Sequence, residues 1–145
     1  MNDIEQAVRN EIEDIHVFFV EWFTGSASKD SYDERFVARF DPAAIFVGPD
    51  GVLLEYEMLM EGMRGAYGCN PDFRIAIRDV VVRYESDKQV IASYTEWQMN
   101  AVNAERSNNG RQTTAVLAKD EKFSWLCVQE TWLPDATQET GPYDF

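Results

Sequence analysis

Apolar residues recur at helical spacing in the first half of the chain and collect in strand-like segments in the second half. This pattern predicts helices at residues 3–24, after Ser31 and over 56–67. Gly62 and Gly65 weaken the third helix, since a glycine costs about 1 kcal/mol relative to alanine in a helix interior. Strands are predicted at 44–47 and 52–54, which pair as a hairpin, and then at 73–84, 89–99, 111–118 and 123–133. Helices followed by long strands favour an α+β domain whose helices gather on one face of an antiparallel sheet.

The last predicted strand mixes polar groups with core-sized side chains. Gln129, Glu130 and Thr131 lie between large apolar residues, a composition typical of a cavity wall. Both alternating faces of this strand carry apolar residues, whereas three helices cover only one face of a sheet. We therefore expect a cavity on the inner face and a homodimer through the outer face. The alternative is a sheet that twists enough to bury both faces within one subunit.

The composition indicates one acidic domain. The chain has 145 residues, of which 45% are hydrophobic, enough for a single core. Its 26 acidic and 13 basic residues give a net charge of −13, which disfavours nucleic acid and anionic membranes as partners. No apolar run reaches the roughly 20 residues of a membrane span and the start lacks a basic flank, so a cytoplasmic protein is expected. The domain is placed at residues 1–134, because 135–145 look weakly ordered.

Four phrases carry a family resemblance: EWF at 21–23, FVGPDG at 46–51, YTEWQ at 94–98 and WLCVQETWLP at 125–134. With the order of elements, they resemble the nuclear transport factor 2-like superfamily over residues 4–134, especially small bacterial members of its SnoaL-like, ketosteroid-isomerase-like branch. The resemblance implies a cystatin-like fold, a cone-shaped curved antiparallel sheet wrapped around N-terminal helices. It implies no single activity, because the superfamily includes isomerases, cyclases, dehydratases, epoxide hydrolases and proteins without catalysis.

The chain departs from the steroid isomerases of this superfamily at their general base. Those enzymes carry an aspartate directly before the proline of the first hairpin, whereas this chain has Gly48 before Pro49. Asp50, in the same turn, is expected to stabilise the turn and stay in water. The usual base is therefore absent.

Three other residues are candidates for proton transfer: Glu96, Glu130 and His16. The two carboxylates lie in predicted strands beside tryptophans, where loss of solvation raises a carboxyl pKa into the range useful for an acid or base. The histidine lies at the edge of the apolar stripe of the first helix. The alternative is structural: a carboxylate paired with Arg78 or Arg111, and a hydrogen-bonded histidine at the edge of the core.

A ligand site is predicted from apolar walls with a few hydrogen-bonding groups, a mixture that suits a small, largely apolar organic molecule. The predicted residues are Trp22, Phe23, Tyr56, Met60, Tyr94, Gln98, Thr114, Trp125 and Gln129. The strand assignments depend on register, because a shift of one residue exchanges the two faces of a strand.

Motifs for a metal, a nucleotide or a catalytic nucleophile do not occur in the sequence, so we expect no metal and no cofactor. The sequence favours a ligand-binding domain without catalysis, with an apolar pocket inside the cone. The alternatives are an acid–base enzyme and a dimerisation domain whose cone is filled by side chains.

Overall fold

The computed structural model describes residues 2–145. Its helices are α1 Asp3–Thr24, α2 Tyr32–Arg35, α3 Tyr56–Gly65 and α4 Asp135–Thr140. Its strands are β1 Phe40–Val47, β2 Leu53–Glu55, β3 Arg74–Glu85, β4 Gln89–Met99, β5 Asn109–Lys119 and β6 Phe123–Trp132. No helix within residues 2–145 is long and apolar enough to span a membrane.

Helix α1 begins and ends at the residues predicted from the sequence. The Asn2 side chain accepts the Glu5 backbone N–H at 2.8 Å and the Glu5 side chain bonds back to Asn2, which closes a capping box. Gly25 ends the helix with a φ of 81°, a left-handed conformation that glycine adopts without strain. The buried stripe of α1 packs onto the sheet through Val8, Ile12, Ile15, His16, Phe18 and Trp22.

The six strands form one curved sheet in the order β2-β1-β6-β5-β4-β3. Neighbouring strands are antiparallel except β1 and β6, which run parallel, so the sheet is mixed. The N-terminal helices lie on its inner face, and the predicted α+β, cystatin-like fold class is confirmed. Strand β1 begins four residues earlier than predicted, at Phe40.

A β-bulge in β6 changes which residues of that strand face inward. Ala115 opposes Val128, but two residues further along β5 Leu117 opposes Trp125, so Leu126 is an extra residue in β6. Trp125, Val128 and Glu130 consequently all lie buried on the inner face. Strict alternation from Trp125 predicts Gln129 there instead.

The C-terminal residues cover part of the outer sheet face. The Tyr143 ring meets Trp97 edge-on at 5.6 Å, and the Arg78 guanidinium lies 5.2 Å from the Trp97 ring. Trp97 is thereby buried, whereas Thr114 on the same face is exposed. The weak order predicted for residues 135–145 and the predicted homodimer stay predictions.

Candidate functional site

A cavity of about 340 Å³ lies between the helices and the inner face of the sheet. Helices α1 and α3 and all six strands contribute to its walls. Its volume lies at the lower end of the range of small-molecule sites. Most of the lining is apolar and aromatic, and the polar lining residues are His16, Tyr94, Glu96, Gln98, Arg111 and Glu130.

His16 and Glu96 form a buried pair on the cavity wall. The Nε2 atom of His16 lies 3.0 Å from Oε1 of Glu96, and each residue is 5% exposed. The Nδ1 atom of His16 lies 2.6 Å from the backbone oxygen of Ile12. A carbonyl oxygen only accepts, so Nδ1 carries a hydrogen, and the contact with Glu96 needs a second proton between the two groups.

The Glu96 carboxyl is ionised, because its pKa is lowered by its surroundings. Burial raises the pKa of Glu96, but the charge and hydrogen bond of His16, the Arg111 charge and a Gln98 hydrogen bond lower it to about 2. The Gln98 amide donates to Oε2 of Glu96 at 2.6 Å. The site therefore contains a buried Glu96 carboxylate that both His16 and Gln98 contact.

Glu130 is a second buried carboxyl on the same wall, and its environment differs. Burial, with the nearby charge of Glu96, raises the pKa of Glu130 to about 7 despite the Arg111 charge and hydrogen bond. Nη1 of Arg111 donates to Oε1 of Glu130 at 3.2 Å. No donor within residues 2–145 forms a hydrogen bond with Oε2 of Glu130. Glu130 is therefore part protonated near neutral pH, and one of its oxygens is available to a ligand.

A hydrogen-bonded chain connects the two carboxylates through strands β4 and β5. Nδ2 of Asn109 donates to Oε1 of Gln98 at 3.4 Å, and Nη2 of Arg111 donates to Oδ1 of Asn109 at 2.8 Å. The Arg111 guanidinium also lies 4.8 Å from the Trp132 ring. Arg111 is thus held on three sides, which keeps Glu130 in one orientation.

Tyr94 places a hydroxyl among these groups. Its ring is 5.6 Å from the imidazole of His16 and its side chain is buried. Burial, then the charges of Glu96 and Glu130, raise the pKa of Tyr94 well above its ordinary value, so the hydroxyl stays neutral. This hydroxyl forms no hydrogen bond within the described chain, residues 2–145.

The structure brings together most of the residues predicted for the site. Those that line the cavity are His16, Phe23, Tyr94, Glu96, Gln98, Trp125 and Glu130. Those that do not are Trp22, Tyr56, Met60, Thr114 and Gln129. The three proton-transfer candidates therefore share one wall of the cavity.

Two predicted strand residues lie on the other face of the sheet. Thr114 and Gln129 oppose each other in the β5–β6 register and are both exposed on the outer face. Their prediction as cavity residues was wrong. The bulge at Leu126 reverses the alternation that began at Trp125 and turns Gln129 outward, whereas Thr114 was assigned to the wrong face of β5, whose neighbouring residue Thr113 opposes Tyr94.

The three helical residues that were predicted to line the cavity pack in the hydrophobic core outside it. The Trp22 indole donates to the backbone oxygen of Met63 at 2.6 Å and packs against Tyr32. Met60 is buried and Tyr56 packs against the core, both outside the cavity lining. Helix α3 instead turns Leu59, Gly62 and Met63 toward the cavity.

Sequence reasoning missed several lining residues. Arg111 was considered only as a salt partner, and its pairing with Glu130 also places it on the cavity wall. Phe19 and Met63 belong to the apolar stripes of their helices, and this pattern could have predicted both as residues of the cavity lining. Phe36, Phe40 and Phe46 carried no pattern that separated cavity wall from filled core.

No group of three metal-ligating side chains occurs among the described residues. The expectation that the protein needs no metal or cofactor stays a prediction.

Solved structures similar to this chain share its fold. A nuclear transport factor 2-like protein of unknown function from Pseudomonas aeruginosa is 30% identical, with 88% of this chain and 99% of that chain covered, at a TM-score of 0.80. A nuclear transport factor 2-like protein from Cytophaga hutchinsonii is 12% identical, with 92% and 100% covered, at 0.70. A protein provisionally named as a scytalone dehydratase, from Novosphingobium aromaticivorans, is 9% identical, with 89% and 83% covered, at 0.69. Among curated proteins, none matches the chain.

These likenesses define a member of the nuclear transport factor 2-like superfamily, as the sequence phrases indicated. The family model described as sucrose-6-phosphate phosphohydrolase C-terminal matches residues 8–134. The chain belongs to that family.

Proposed function

We propose that the protein transfers a proton from a small, neutral, largely apolar molecule in the cavity, with Glu130 as the general base. One observation carries the proposal: Glu130 is a buried carboxyl on the cavity wall whose pKa is raised to about 7. A base is most effective when its pKa lies near the working pH. A carboxylate at its ordinary pKa is a weaker base at the same position.

The neighbouring side chains suit this role. Arg111 binds Oε1 of Glu130 and orients the carboxylate, which leaves Oε2 to accept the proton. The neutral hydroxyl of Tyr94 can donate a hydrogen bond to a carbonyl or hydroxyl oxygen of the substrate. The hydrogen-bonded side chains of His16 and Glu96 provide a fixed polar environment beside the reacting atoms.

The charges of the site support a neutral substrate. Among the described lining residues, the basic side chains are His16 and Arg111, and each already contacts a carboxylate. A phosphate ester would bring further negative charge beside the carboxyl groups of Glu96 and Glu130 and would compete with them for Arg111. We therefore do not extend the phosphohydrolase activity in the family's name to this chain.

A non-catalytic ligand-binding domain is the second candidate. The observation that favours it is that both carboxylates take part in ion pairs, with His16 at 3.0 Å and with Arg111 at 3.2 Å, as structural carboxylates do. The third function, a dimerisation domain with a filled cone, is disfavoured by the volume of about 340 Å³ between helices and sheet. A cytoplasmic location stays a prediction.

Isotope exchange tests the proposal. A panel of neutral cyclic and aromatic carbonyl compounds in deuterium oxide is followed by proton NMR for loss of carbon-bound hydrogen, with wild type and Glu130→Gln. The proposal expects exchange with wild type and its loss in Glu130→Gln, since the amide cannot accept the proton. Exchange that Glu130→Gln retains in full would overturn the role of Glu130. Saturable binding of panel members without any exchange would favour the non-catalytic binding domain.

A further inference from the structure

Among the described residues that line the cavity, Gly62 alone is exposed to solvent. It lies in α3 with Leu59, Met63 and Ala66 nearby, which line the cavity at helical spacings of three and four residues from one another. Gly62 therefore lies where the lining of the cavity meets the protein surface.

Neither the backbone nor the packing requires a glycine here. Gly62 lies within α3 and does not have a positive φ. A Cβ atom built at this position meets no heavy atom within 4 Å. Glycine is also less favourable than alanine inside a helix. The fold gives no reason for a missing side chain at Gly62, whereas an opening into the cavity does.

We propose that Gly62 forms the entrance to the cavity, and that its lack of a side chain admits neutral, largely apolar molecules. The half-buried side chains of Phe46, Leu54 and Met63 line the cavity with it and carry no charge. A molecule that enters here leaves water before it reaches the polar groups on β4 to β6, which excludes ions. The inference rests on the proposed function to the extent that both require a ligand in the cavity.

A second approach to the cavity is closed by a buried ion pair. A groove of about 1170 Å³ runs between α1 and β3 and shares His16 and Ile75 with the cavity. The imidazole of His16 is bonded at both ring nitrogens, to Ile12 and to Glu96. Entry from the groove would break this pair and leave a buried charge unpaired. The opening at Gly62 needs no such rearrangement.

The experiment measures how fast a probe enters. N-phenyl-1-naphthylamine, which is neutral, apolar and fluorescent when bound, is mixed with wild type, Gly62→Phe and Gly65→Phe in a stopped-flow instrument. Gly65 is the matched control: it is exposed, lies in the same helix, has no heavy atom within 4 Å of a built Cβ and does not line the cavity. We expect Gly62→Phe to lower the association rate constant at least about tenfold and Gly65→Phe to change it by less than about twofold.

The outcomes separate the entrance from the acid–base function. Equal association rates in the two phenylalanine variants overturn the entrance at Gly62. Absence of probe binding by wild type overturns both the entrance and a ligand-binding cavity. A slow Gly62→Phe variant together with full exchange activity in Glu130→Gln overturns the acid–base role alone. If circular dichroism shows that Gly62→Phe is unfolded, Gly62→Leu and Gly65→Leu give the same comparison.

Discussion

Nε2 of His16 on α1 and Oε1 of Glu96 on β4 are 3.0 Å apart although the residues are separated by 80 positions in the sequence. The second nitrogen of His16 is 2.6 Å from the backbone oxygen of Ile12. Together these contacts hold a buried histidine–carboxylate pair at the junction of the first helix and the sheet. Both residues of the pair and Glu130 line the cavity.

Replacing His16 with leucine is expected to lower the free energy of unfolding by about 3–5 kcal/mol. The reason is that the Glu96 carboxylate is 5% exposed and would lose the side chain of His16 as its buried partner. Urea unfolding at neutral pH measures the change. The double variant His16→Leu/Glu96→Leu should regain much of the loss, since it buries no unpaired charge. A loss in the single variant below about 1 kcal/mol would contradict the buried pair.

The raised pKa of Glu130 predicts that stability falls as pH rises from 4.5 to about 7. In this interval the folded state binds more protons at Glu130 than the unfolded state does, because the pKa of Glu130 in the unfolded state is near 4.5. The loss in the free energy of unfolding is at most about 3 kcal/mol. Urea titrations across this range should show the decline in wild type and a smaller one in Glu130→Gln.

Glu96 changes the free energy of unfolding in a different pH interval and in the opposite direction. Because its pKa is lowered to about 2, its contribution is complete above pH 4.5 and is lost as pH falls toward 2. Comparison with Glu130→Gln therefore isolates Glu130 above pH 4.5. Identical pH profiles for wild type and Glu130→Gln would show that the carboxyl of Glu130 titrates normally.

Replacing Gly62 with alanine is expected to raise the free energy of unfolding by about 0.5–1 kcal/mol. The added methyl group meets no heavy atom within 4 Å, so the helix becomes more stable without a steric penalty. Urea unfolding checks the gain. A destabilised Gly62→Ala variant would mean that a neighbouring group occupies the space beside this glycine.

The homodimer expected through the outer sheet face has a direct test. Sedimentation velocity should give a mass near twice the 16.7 kDa of one chain. Arginine at both Thr114 and Gln129, which are exposed on that face, should yield the monomer through charge repulsion across a symmetric interface. Gln6→Arg, an exposed position on α1, is the control and should leave the mass unchanged. A wild-type monomer at all concentrations would rule out this dimer.

Local signals explain what could be predicted from the sequence. The bounds of α1 follow from its capping box and from Gly25. These signals lie within a few residues of the element that they delimit. The general fold followed from the order of such elements.

Features that depend on tertiary pairing could not be predicted in the same way. The parallel pairing of β1 with β6 and the bulge at Leu126 arise from partners far along the chain. The bulge places Glu130 on the inner face of the sheet and Gln129 on the outer face. The sequence of β6 contains no local signal that predicts a bulge. His16 and Glu96 were separate candidates in the sequence, and only the fold joins them.

An NMR titration of the side-chain carboxyl carbons tests the central claim most directly. Glutamate labelled with carbon-13 at the side-chain carboxyl, compared between wild type and Glu130→Gln, assigns the Glu130 resonance by its absence from the variant. The predicted result is a Glu130 midpoint near pH 7, consistent with a buried base on the cavity wall. A midpoint at or below 4.5 would show a permanently ionised structural carboxylate and would contradict the proposed role of Glu130.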